Sequence, residues 1–364
     1  MAIFGATPLI SVIAIIMRYN LPQATFDSVE DGENPRRRRL SENYKGLVHY
    51  EMLANQRVKF TPSPLSPVEQ LEQYLIEPND ARKAVKLIEV EVDKLATILN
   101  KIAISSIERP LSSEEAFRLI QDYEGLVKNV LALYVRGCYD DDTALTKALI
   151  DGLNQLSNNI PPVNYPGNLH LYPTLLLLYA GGIAALAGNR YRTLIALMRK
   201  VVIRSSQAPT GCPAAFALVP YRVISERFAN QILQISNHIT PVNKYLFDFL
   251  REPLRQVIKV EGEYEEHFFR FEYLFALASA FANQKWGIGV YAPVGSYMWE
   301  QQLRYPPYIF EVTDQELSQQ NELWPPFKEG IFDGKFEEFQ QLKKQADESI
   351  KNLITKCYPI SFDR

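Results

Sequence analysis

Apolar residues recur along this chain at helical spacing. Val85, Ile88, Val92, Leu95, Leu99 and Ile102 follow one another at steps of 3, 4, 3, 4 and 3, with Glu89, Glu91, Asp93, Lys94 and Lys101 off the seam. That is the narrow stripe of a coiled-coil-like helix. After Pro110, Ser112-Ser113-Glu114-Glu115 reads as a cap for a second helix, whose Phe117, Ile120, Tyr123, Val127, Val130 and Tyr134 form a matching stripe as far as Gly137. A third, Asp142 to Ser157, brings Leu145, Leu149, Leu153 and Leu156 to one side. Ser66-Pro67-Val68-Glu69 supplies a start signal, so residues 68–158 predict an antiparallel helical bundle.

Leu171 to Ile203, LYPTLLLLYAGGIAALAGNRYRTLIALMRKVVI, is the most apolar stretch. Leu171 to Gly188 reaches the lower length limit for a membrane span. Pro173, Thr174, the Gly181-Gly182 pair and the immediate Asn189-Arg190-Tyr191-Arg192 favour a helix surrounded by other helices instead. On that reading the glycines and alanines allow close approach, and Gly188 ends the helix in the left-handed conformation. Tyr191 to about Ile203 then folds back as an αα-hairpin.

Asn158 to Asn168 (NNIPPVNYPGN) is the preferred domain boundary, and residues 166–364 predict a helical-hairpin, tetratricopeptide- or solenoid-like domain. Ser205 to Pro220 reads as a loop, Tyr221 to Ser236 and Asn243 to Val260 as helices, Glu261 to Glu266 as an acidic hinge, and Phe268 to Ala282 as an apolar helix. YLFALASAFANQKW (from Tyr273) can be laid against LYAGGIAALAGNRY (from Leu178), which pairs Gly188 with Asn283 and Tyr191 with Trp286. The C-terminal region is aromatic and turn-rich, and Lys335 to Thr355 closes it as an amphipathic helix through Phe336, Phe339, Leu342, Ala346, Ile350 and Ile354.

Residues 1–60 predict N-terminal helices and a basic turn. Pro8 to Met17 is too short to span a bilayer and lacks a preceding basic residue, so it reads as a buried helix and not a signal peptide. A start inside a core element also fits a fragment of a larger protein. Arg36, Arg37, Arg38 and Arg39 offer a phosphate or nucleic-acid patch, but nearby Asp27, Glu42 and Glu51 favour the solvated start of a helix.

Composition narrows the picture. With 47% hydrophobic and 22% charged residues the chain is globular, and a net charge of -3 gives no overall basic signature. Cys138, Cys212 and Cys357 lie far apart without CxxC spacing, which suits the cytoplasm better than a disulfide framework. The four histidines, His49, His170, His238 and His267, fall in no catalytic or metal-binding pattern. Glu263, Glu265, Glu266 and His267 form the best local acid–base or metal candidate, against a solvated acidic turn. Asp140, Asp141 and Asp142 read as helix-capping acids. GIGVYAPVG lacks the Lys-Ser/Thr of a phosphate loop, no GxSxG elbow is present, and Cys212 has no local activator.

The combination of LLLLYAGGIAALAGNRY, WGIGVYAPVGSYMWE and WPPFKEGIFDGKFEEF, within residues 171–343, resembles helical carboxy-terminal regions of bacterial multidomain proteins, some linked to anti-phage defence. The resemblance rests on packing and turn motifs and implies a sensor or scaffold role with no catalytic residue to carry over. The sequence thus predicts an all-α protein of two helical regions, acting without cofactor as a non-catalytic sensor, scaffold or interaction module with a protein partner or in an oligomer. An enzyme with a site assembled from distant residues and a membrane-acting effector are the alternatives.

Overall fold

A computed structural model describes residues 65–76, 80–105, 110–140, 143–162, 167–204, 208, 210–225, 229–230, 233, 240–297 and 308–357. The expectations for residues 1–60, Arg36 to Arg39 included, lie outside them. The fold is all-α. Among the described residues the ten longer helices are α1 (Pro67–Ile76), α2 (Ala81–Ser105), α3 (Ser113–Asp140), α4 (Thr143–Asn159), α5 (Tyr172–Ala187), α6 (Tyr191–Lys200), α7 (Pro241–Leu254), α8 (Glu261–Lys285), α9 (Tyr308–Gln320) and α10 (Phe336–Cys357). Residues 64–364 form one compact unit.

Local chemistry sets the helix starts. Before α1, the Ser66 amide donates to Glu69 Oε2 (2.8 Å) while the Glu69 amide donates to Ser66 Oγ (3.4 Å). Ser112 and Glu115 repeat this reciprocal capping box ahead of α3 at 2.9 and 3.2 Å. Along α2, Ile88, Val92, Leu95 and Leu99 are buried as expected, whereas Val85 and Ile102 are only half-buried and Ala84 and Ala103 replace them. A straight helix drifts off a strict heptad seam by roughly 20° per heptad, which moves the ends of the stripe. In α3 the stripe widens, because Leu131, Leu133, Val135 and Cys138 are buried too.

The cause of that widening is α5, which packs along α3 and is also touched by α4, α6, α7 and α8. Every residue from Tyr172 to Leu186 is buried. Leu169–Ala187 is the one described segment long and apolar enough to cross a membrane, and its apolar window is wholly covered within the protein. The close approach at Gly182 is made by a side chain: a Cβ there would overlap the Phe271 ring of α8. The left-handed residue at the end of α5 is Asn189 (φ 57°), whereas Gly188 has φ -82°. The Arg190 amide donates to Ala185 O (2.7 Å) and the Asn189 amide to Leu186 O (2.9 Å), a Schellman stop. Gly188 is needed for space, since a Cβ there would lie 2.5 Å from Tyr139 O.

Several expected boundaries shift. α6 ends at Lys200, and Val202–Ile203 (β1) pairs antiparallel with Cys212–Pro213 (β2). Two amides of α4 hold this ribbon: Asn154 Oδ1 accepts from the Val202 amide (2.7 Å), and Asn158 Oδ1 from the Arg204 amide (2.8 Å). Within Tyr221 to Ser236 the described residues give a turn at Pro220–Val223, a bridge between Ile224 and Gly167, and a second helical piece at residues 229–230, where the Ala229 amide donates to Ser225 O (2.9 Å). The acidic segment Glu261 to Glu266 is the first part of α8, where negative charge favours the helix dipole, and is no hinge. α8 ends in a second Schellman stop, with Gly287 left-handed (φ 73°) and the Ile288 amide donating to Asn283 O (3.0 Å). The two stops fall at Asn189 and Gly287, so pairing Gly188 with Asn283 sets a helix end against a buried residue inside α8.

The C-terminal aromatics pack over the end of α8. Trp324 is buried, stacks on Phe339 at 5.6 Å and donates from Nε1 to Glu316 (2.9 Å), while Phe332 meets Phe281 at 4.6 Å.

Candidate functional site

The carboxylates singled out for metal chemistry stay on the surface, and His267 is half-buried. Glu263, Glu265 and Glu266 are exposed on α8, and Glu265 and Glu266 flank a small cleft of about 140 Å³ with Phe269 and Arg270. Arg270 is committed to Glu316 at 2.7 Å. Burial pushes the half-buried His267 below its ordinary imidazole value, and burial holds His170 down to about 4, so both favour the neutral form. Among the described residues no group of three or more His, Cys, Asp or Glu is placed to hold a metal ion. Cys212 is buried, with its thiol pushed up by desolvation, which makes it a poorer nucleophile. Asp140 pairs with Arg136 at 2.7 Å. Asp141 and Asp142 lie outside the described residues.

Among the described residues Glu124, Glu272 and Asp347 are carboxylates buried in the core. Glu124 of α3 accepts from the hydroxyls of Tyr172 (2.8 Å) and Tyr245 (3.2 Å). Glu272 of α8 accepts from Asn243 Nδ2 (2.6 Å), Tyr179 (3.5 Å) and the Ser296 amide, and burial pushes its carboxyl up to about 7. Asp347 of α10 accepts from Tyr273 (2.8 Å) and Lys343 Nζ (2.8 Å), yet desolvation still outweighs these partners and raises its carboxyl. These groups link helices. A lone carboxylate inside FFRFEYLFALA was the only sign of Glu272 in the sequence.

Two surface features carry chemistry. A groove of about 360 Å³ between α9 and α10 has Lys343 at its base, bonded to Asp314 (2.6 Å) and Asp347 and lined further by Lys344 and Lys351. A cleft of about 250 Å³ lies at the end of α8, floored by Ala278, Phe281 and Ala282, walled by Val202 and Pro213, and rimmed by Arg199, Lys285 and Trp286. Beside it Trp286, 39% exposed, stacks on Phe216 at 5.2 Å, and the Arg222 guanidinium covers Phe216 at 4.1 Å. Ile288, 56% exposed, stands between Gly287 and Gly289, both left-handed and with nothing within 4 Å of where a Cβ would be.

The fold and these features define an all-α protein with buried carboxylate–tyrosine junctions and an aromatic, basic surface at one helix end. Compared with protein-family models, curated proteins and solved structures, the chain matches none of them.

Proposed function

We propose that this chain is a non-catalytic helical interaction module, a cytoplasmic sensor or scaffold that presents the end of α8 to a protein partner. The observation that carries it is the exposed Trp286 and Ile288, set on rigid support by the Phe216 stack and the Schellman stop. Large apolar side chains held out on an ordered scaffold mark interaction sites more than catalytic ones. The deeply buried carboxylates support the same reading, since each is consumed in joining helices. The likeness of its motifs to helical regions of bacterial defence proteins suggests such an assembly as the setting.

The test uses a photo-crosslinking residue at position 288 in the full chain, expressed in its native host. One discrete crosslinked protein that disappears with Trp286→Ala is expected. Hydrolysis of nucleotides or nucleic acids by the purified chain, abolished by Lys343→Met or Asp347→Asn, would overturn the reading. That outcome would favour an enzyme, for which the buried Lys343 flanked by two carboxylates below an open groove is the supporting observation.

A further inference from the structure

The cleft at the end of α8 holds an internal acidic group at its rim. Arg199 reaches from α6 over the face of Phe281 at 5.1 Å, and Lys285 approaches the same ring at 6.0 Å. Both cations converge on Asp333. Arg199 Nη1 donates to Oδ1 (2.7 Å) and Nη2 to Oδ2, in the fork-to-fork manner of guanidinium and carboxylate, while Lys285 Nζ stands 3.5 Å from Oδ2. The hydrogen bonds from Arg199 hold the Asp333 carboxyl below its ordinary value. Asp333 comes from the exposed turn after Gly330, and its side chain is 52% exposed. Directly behind this charged rim is the apolar floor of the cleft, large enough for one side chain.

We propose that the cleft binds a short acidic segment of a partner protein, with a partner carboxylate taking the place that Asp333 now fills and a neighbouring apolar side chain seated on Phe281 and Trp286. This deepens the interaction reading above and rests on it. Charge complementarity selects the partner: two cations meet one acid here. The bidentate geometry fits a planar carboxylate. Nucleic acid fits less well, because the Phe216 ring is already occupied by Trp286 and the Arg222 guanidinium, and stacking on bases needs open ring faces. Asp333 then acts as a resident competitor that keeps the site closed to weak ligands.

The experiment selects a displayed library of random 12-residue peptides on the full chain, then measures the best peptide by fluorescence anisotropy. Expected are peptides carrying Asp or Glu beside an aromatic or aliphatic residue. Their binding should weaken roughly tenfold with Lys285→Glu, the scale of one charge pair, and tighten several-fold with Asp333→Asn, which removes the competing negative charge from Arg199 and Lys285. A role for Asp333 in folding alone predicts no gain. If Asp333→Asn does not fold, the exposed Lys285→Glu variant decides. Peptides without acids whose binding still needs Trp286 would overturn the carboxylate assignment and leave the interaction role standing. Binding of a single-stranded oligonucleotide that competes with the peptides would also overturn it, and failure of both peptide selection and crosslinking would remove both readings.

Discussion

At Gly182 the smallest residue of α5 faces the ring of Phe271, and the fit leaves no room for a methyl group. Gly182→Leu is expected to destabilise the protein by roughly 1–3 kcal/mol or more through overpacking. Denaturant unfolding checks this, and Phe271→Ala in the same chain should recover part of the loss; an unaffected midpoint would show that the contact is not made. Glu272 gives a second prediction. Its carboxyl titrates near 7 in the folded chain against an ordinary 4.5. The native state therefore keeps a proton that the unfolded chain releases, so this group's contribution to stability falls as pH rises from 4.5 to 7, by about 3 kcal/mol in all. His170, held down to about 4 from 6.5, acts oppositely and costs stability as pH drops through that interval. Glu272→Gln should make stability rise with pH, relative to wild type, between pH 4.5 and 7. An unchanged slope would mean the carboxylate is ionised in the core. Gly182 was legible as a packing residue, but its partner, 89 positions away by the numbering, was not.

Among elements, those whose ends rest on local signals were readable. Both capping boxes lie within four residues of sequence, and removing the Ser112 hydroxyl (Ser112→Ala) should cost about 1 kcal/mol by thermal unfolding. The sequence pattern puts the stop after α5 one residue early, at Gly188, because two small turn-forming residues are adjacent and only the Tyr139 carbonyl decides between them. With Asn189 at φ 57°, Asn189→Gly should be neutral or slightly stabilising, whereas Asn189→Val should lose about 1–2 kcal/mol. Equal midpoints for the two variants would refute the left-handed assignment. The end of α6 was not readable: the run Val201 to Ile203 continues an apolar pattern, and the amides that draw it into a strand come from Asn154 and Asn158 on α4.

At the scale of the molecule, Glu124 of α3 is held by Tyr172 at the start of α5 and by Tyr245 of α7, so the first helices and the later ones are joined inside one core. Residues 64–162 expressed alone should lack a protease-resistant core, and coexpression with residues 163–364 should restore it, as judged by limited proteolysis. A stable, resistant first fragment would show that this segment folds independently. The all-α class was visible from periodicity alone. The cleft was not, since Arg199, Lys285 and Asp333 span 134 residues and each reads singly as an ordinary surface charge.

The surroundings of α5 bear on how the chain is made. Synthesis delivers α1 to α4 first, so α5 emerges with α3 ready to cover one side, but α8, which brings Phe271 and Phe275 against Tyr179, follows only some 80 residues later. For several seconds of translation, at about 5–20 residues per second, a segment apolar enough to pass for a membrane span stands half-clothed at the ribosome. Chaperones and the membrane-insertion machinery recognise just such segments, so the order in which helices arrive decides whether this one is buried by its own protein or captured on the way.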